Sequence, residues 1–193
     1  MRRLLAGACA CLMLGACGGG DDAAPVASAT PAASTAPVAS VAAAPATTPA
    51  PPAASADARA SRAVLDAWLE AMNRHDEQAA AALLSQDAQV FDALLAKIYR
   101  GRGEAQREVI GMYQRAVPDG QWTLRGEPIV SADGFSYEWT LSGSNLGNWT
   151  SYLRGRGQKI DFKGATVVRL QAGKIAYQAT YFDTNALGAQ AGW

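Results

Sequence analysis

Beyond Cys17 the chain contains no cysteine, and its single histidine is His75. A folded part without thiols has no cysteine nucleophile, no disulfide and no cysteine-based metal site. One histidine cannot build a histidine-rich metal site, and the carboxylates show no calcium-loop spacing. No apolar run reaches the roughly 20 residues that a membrane-spanning helix needs. Lysine plus arginine number 17, as do aspartate plus glutamate, so the formal net charge is zero. With no basic stripe and no interleaving of aromatic and basic residues, nothing points to nucleic acid as a partner. No internal repeat is present. Gly101-Arg102-Gly103 is a lone short glycine motif and reads as loop punctuation, not as a phosphate cradle.

What is there begins at the N-terminus. Arg2 and Arg3 precede an apolar run from Leu4 to Ala16, with the length and flanks of a secretory h-region. The run closes on Leu14-Gly15-Ala16-Cys17. This resembles the lipobox of bacterial lipoproteins, in which the cysteine becomes the lipidated first residue of the mature chain. The resemblance implies diacylation and N-acylation of Cys17. One acyl chain binds membranes only marginally, and two or more make a stable anchor. Residues 1–16 are therefore expected to be a signal peptide that carries Cys9 and Cys11 away. Gly18, not Asp, follows the cysteine, which resembles sorting to the periplasmic face of the outer membrane in Gram-negative bacteria.

Residues 17–56 form the expected linker. From Gly18 to Ala56 there is no aromatic residue, no Leu and no Ile, and prolines recur at positions 25, 31, 37, 45, 49, 51 and 52. Such a composition cannot bury a core. Where proline is dense, a chain rises about 3.1 Å per residue, so the segment can reach on the order of 100 Å. Residues 57–193 then have globular composition, hold all five tryptophans and suit one domain.

Within that domain Val64, Leu65, Trp68, Leu69 and Met72 recur at helical spacing, which predicts a helix from about Ala58 to Asn73. Asp76 is a good N-cap for a second helix through Leu84. Short strands are expected at Ala88–Phe91 and Ile98–Arg100, and a third helix at Glu104–Ala116. Everything after Pro118-Asp119-Gly120 is strand-like. Phe135, Tyr137, Trp139 and Leu141 alternate with polar residues, and Ala172-Gly173 makes a tight hairpin before a last strand from Lys174 to Asp183. Helices first and a long antiparallel meander after them predict an α+β domain, with helices on one face of a curved sheet. Trp68, Trp122, Trp139, Tyr113 and Tyr137 are candidates to line a pocket for a planar or apolar ligand, with plain core as the alternative.

Several blocks together resemble a known family. They are Asn73-Arg74-His75-Asp76, Tyr99-Arg100-Gly101-Arg102, Asp161-Phe162-Lys163-Gly164, Val168-Arg169-Leu170, Ala172-Gly173-Lys174-Ile175 and Tyr181-Phe182-Asp183. Their order is similar to the SnoaL-like polyketide cyclase, or ester cyclase, branch of the nuclear transport factor 2-like superfamily. The resemblance implies a cone-shaped fold, a curved antiparallel sheet with three N-terminal helices enclosing a pocket. It also implies cofactor-free cyclase- or isomerase-like acid/base chemistry, without a metal, at an acid near the end of the last strand. That position is Asp183. Strand parity puts Tyr177 and Tyr181 on the same face. Asn145 stands where the family often has a pocket histidine, and an amide there can hold a carbonyl but transfers no proton. The partners expected are a small apolar ligand in the cone, the membrane through Cys17 and, by resemblance, a second copy in a homodimer. The alternative is a non-catalytic module of the same fold that docks an envelope protein.

Overall fold

A computed structural model describes residues 55–193. The expected signal peptide, Cys17 and nearly all of the linker lie outside the described residues. Helix α1 (Ala56–Asn73) starts inside the last residues read as linker, because the Ser55 hydroxyl accepts the Ala58 N–H at 3.1 Å and caps it. Its buried face carries Leu65, Trp68 and Met72, three of the five apolar positions read from the sequence, while Val64 and Leu69 are partly buried beside them. His75 turns the chain in a left-handed conformation (φ 55°), and Asp76 caps α2 (Glu77–Ala82) through the Ala79 N–H at 2.9 Å.

The strands are β1 (Leu84–Asp92), β2 (Lys97–Arg100), β3 (Gln121–Ser131), β4 (Gly134–Asn145), β5 (Gln158–Gln171) and β6 (Lys174–Phe182). Between β2 and β3 runs one continuous helical stretch. It consists of α3 (Arg102–Ala105), a π-helical turn (Gln106–Ile110) and α4 (Gly111–Ala116). A last helix, α5 (Thr184–Ala191), follows β6. No helix was expected after Asp183, since Thr184-Asn185-Ala186 carries no helical apolar period.

The six strands form one sheet in the order β2-β1-β6-β5-β4-β3. The expected all-antiparallel sheet is corrected in one place: β1 pairs β6 in parallel, with Asp92 beside Thr180. The last strand thus inserts between the first strand and the meander, so it is central and not an edge. The β5–β6 hairpin turns at Ala172 (φ 49°) and Gly173 (φ 72°), both left-handed as a two-residue hairpin demands. The long edge strand β3 is closed off by α1. The Asn73 side chain donates to the Trp122 carbonyl at 3.0 Å and accepts the Trp122 N–H at 2.7 Å, in place of a neighbouring strand. Helices and sheet meet in one core built on Leu65, Trp68, Ile110, Trp139, Leu141 and Phe162. Among the described residues no helix is long and apolar enough to cross a membrane.

Candidate functional site

The interior face of β6 is set by which side the helices cover. Gln178, Thr180 and, at the end of the strand, Phe182 point inward, and the alternate residues point out. Around Gln178 and Thr180 lies a cavity of about 20 Å³. Helix α1 contributes Trp68 and Met72, the π turn Val109 and Ile110, and α4 Tyr113. The sheet contributes Trp122, Tyr137 and Thr166. A π turn adds a residue to the helical repeat and often marks a functional site. Here two of its side chains are walls.

Polar side chains are gathered in and behind this interior, and the bonds of several can be followed one by one. Trp139 Nε1 donates to Thr166 Oγ1 at 2.9 Å, and the Thr166 and Thr180 hydroxyls lie 3.3 Å apart. The Tyr113 hydroxyl donates to Asp92 Oδ2 at 2.7 Å. Asp92 is fully buried, and its Oδ1 accepts the N–H of Leu94 at 2.9 Å and of Leu95 at 3.3 Å. One carboxylate thereby shapes the β1–β2 turn and holds the phenol that walls the cavity. Gln178 is the exception: its Oε1 is buried with no partner among the protein groups. Buried polar atoms are bonded in the great majority of native structures, so an orphan acceptor here calls for an explanation.

Burial raises the Asp92 carboxyl above the usual aspartate range, while the donors Tyr113, Leu95 and Leu94 act the other way. Burial also drives the Tyr113 phenol well above its ordinary value, and the neighbouring Asp92 adds to it. Tyr137 is raised by burial too, with Thr166 and Trp68 nearby opposing. Ionised, Asp92 is satisfied by its three donors. Protonated, it gives its hydrogen to the Tyr113 oxygen and frees the phenol O–H. The pair therefore switches Tyr113 between acceptor and donor. Among the described residues no three of His, Cys, Asp and Glu gather to hold a metal ion.

Of the residues singled out from the sequence, Trp68, Tyr113, Trp122 and Tyr137 line the cavity, and Trp139 stands behind it with its ring 4.6 Å from that of Trp122. Asp183, Tyr181, Tyr177 and Asn145 do not join them. Asp183 is exposed, and its Oδ1 accepts the N–H groups of Asn185 at 2.9 Å and Ala186 at 3.0 Å as the N-cap of α5. Tyr181 is half exposed and stacks on Phe91, with ring centres 5.3 Å apart. Tyr177 lies under the Arg169 guanidinium at 4.5 Å. All three were expected in the pocket and sit on the other face, because the concave side holds the opposite parity. Asn145 is buried at the end of β4, where it accepts the Trp149 indole N–H at 2.8 Å and does not face the cavity. Sequence reasoning missed Asp92, Thr166, Thr180 and Gln178. The signal was available in part: Gln178, Thr180 and Phe182 alternate as strictly as Tyr177, Ala179 and Tyr181.

The sequence pattern of the SnoaL-like domain matches residues 65–178, more than half of the chain. The chain belongs to the SnoaL-like domain family. No curated protein matches it. Among solved structures, a candidate SnoaL-like polyketide cyclase from Jannaschia sp. CCS1 is similar at 13% identity and a TM-score of 0.63, over 71% of this chain and 94% of that one. A candidate polyketide cyclase from Pseudomonas putida shares 21% identity at a TM-score of 0.58, over 68% of this chain and 97% of that one. A Catenulispora acidiphila protein with a ketosteroid isomerase-like fold, in complex with trimethylamine, shares 18% identity at a TM-score of 0.56, over 67% and 92%. At these identities the likeness carries the SnoaL-like fold alone.

Proposed function

We propose that this SnoaL-like domain binds a small molecule inside its cone and is held by lipid at Cys17 on the periplasmic face of the outer membrane. The observation that carries the reading is the orphan Gln178 oxygen, buried among aromatic walls. An interior meant only as core has no use for Asp92, Tyr113, Tyr137, Thr166, Gln178 and Thr180 together, since each buried polar group weakens the fold unless bonded. Size limits the ligand. A cavity of 20 Å³ holds about one water, while benzene needs on the order of 150 Å³. The site is therefore closed, and a ring enters only if a wall moves. Trp122 is the one lining residue that is not buried. Acid/base chemistry in this cone belongs to Asp92 through Tyr113, since Asp183 is committed to capping α5. The test is a crystal soaked with single-ring compounds. Density between Gln178, Tyr113 and Trp122 supports the reading, and density on the outer sheet face alone overturns it.

The homodimer expected by resemblance, which is compatible with a ligand in the cone, is supported by one feature of the outer sheet face. Ile98, Phe91, Ala179, Val167, Ser136 and Ile129 form a register row across all six strands, and Ile129 is 77% exposed. A second copy is the occupant the apolar row suits. Light scattering of Val167→Glu against the parent chain tests it: a dimeric parent that the change turns into a monomer supports the sheet-mediated dimer, and a monomeric parent overturns it.

A further inference from the structure

The chemistry of the cavity narrows the ligand beyond its size. This rests on the reading that the cone is a binding site. No lysine, arginine or histidine and no aspartate or glutamate lines the cavity. A charged ligand would be buried without a counter-charge, which strongly disfavours it. The walls supply flat apolar surface from Trp68, Trp122 and Tyr137. Within the cavity the Thr166 hydroxyl already accepts from Trp139 and shares a contact with Thr180. Tyr113 is engaged with Asp92. Of the buried side-chain atoms left without a partner among the described residues, Gln178 Oε1 is the one that belongs to a cavity-lining residue, and it calls for a hydrogen-bond donor.

We propose that the cavity takes a neutral single-ring compound bearing a hydroxyl, a phenol or a cyclic enol, whose O–H donates to Gln178 and whose entry is past Trp122. Trp122 suits that role by position. It stands on the edge strand, is only partly buried, and its ring makes edge contacts to Tyr113 at 5.2 Å and Trp139 at 4.6 Å between centres. Its backbone is pinned separately by Asn73, so the side chain turns without loosening the strand.

The experiment is calorimetric titration of the full chain carrying Cys17→Ser with phenol, anisole and benzene, repeated in Trp122→Ala, Trp122→Leu and Gln178→Met. Anisole keeps the ring and oxygen but has no O–H. The expected result is phenol binding about tenfold tighter than anisole, the worth of one buried hydrogen bond. Trimming Trp122 strengthens binding of all three, and Gln178→Met erases the preference for phenol. Equal binding of the three ligands to a folded Trp122 variant overturns the donor proposal while leaving the cavity reading intact. No binding by either Trp122 variant, with both folded by circular dichroism, overturns the cavity reading and the proposal with it. The two Trp122 variants keep the test decisive if the alanine form does not fold, since leucine fills much of the vacated space.

Discussion

Replacing Asp92 by asparagine isolates the balance on which the interior rests. Two forces oppose each other at this carboxyl. Burial favours the neutral form, and three donors favour the ionised one. Burial is the larger here, so the folded-state pKa lies above the ordinary aspartate value of about 3.9. For a raised pKa the sign follows directly. The stabilisation is complete below the unfolded value and is lost as pH rises through the folded value. The loss runs at up to about 1.4 kcal/mol per pH unit between those two values. Asparagine does not titrate. Its Oδ1 still accepts from Leu94 and Leu95, and its Nδ2 donates to the Tyr113 oxygen, so the variant folds. At pH 3.5 the parent chain should exceed Asp92→Asn by roughly 1–2 kcal/mol, the worth of one weakened buried bond. That gap should shrink as pH climbs past 4. Lowered carboxylates such as Asp119, Asp133 and Glu104 lose stabilisation as pH falls. They do so equally in both proteins and cancel in the difference. Urea unfolding followed by tryptophan fluorescence from pH 3.5 to 8 reads the gap. A gap that widens above pH 4 would falsify the reasoning, because it would mean that the three donors outweigh burial and hold Asp92 ionised.

Other outcomes follow from single contacts. Asp183→Ala removes the cap of α5 and should destabilise by about 1 kcal/mol without touching ligand binding; a loss of binding with the fold intact would return Asp183 to the site. Gly164→Ala would drive a methyl into the Trp139 ring and the Tyr181 carbonyl, and should destabilise by about 3 kcal/mol in urea titration. Thr166→Val leaves the Trp139 indole N–H without its acceptor and should remove about 1–3 kcal/mol; a stable variant with an unmoved Trp139 would count against a bonded interior. Cys17→Ser should abolish incorporation of labelled fatty acid and release the chain from membranes; a variant still labelled would remove the anchor from the account.

Local patterns carried much of the fold into the sequence. The α1 face, the alternation of β4, the Asp76 cap and the Ala172-Gly173 hairpin each depend on residues within one or two turns of each other. What did not show was set by distant packing. The parallel pairing of β1 with β6 joins Asp92 to Thr180, and nothing near either residue encodes its partner. The same holds for the concave side of β6. Parity grouped Tyr177, Tyr181 and Asp183 correctly, but the face was chosen by helices packing from elsewhere in the chain. Asp92 ends β1 and shapes the turn that follows it. Its second role needs Tyr113, 21 residues further on and brought round by the π turn. The orphan oxygen of Gln178 needed the folded interior to be seen.

The most direct measurement is the ¹⁵N–¹H spectrum of the chain as phenol is added. The account predicts shifts at the indoles of Trp68, Trp122 and Trp139 and at the side-chain amide of Gln178, with the amides of Ile129, Val167 and Tyr181 unmoved. Shifts confined to those outer-face amides, with silent indoles, would contradict it.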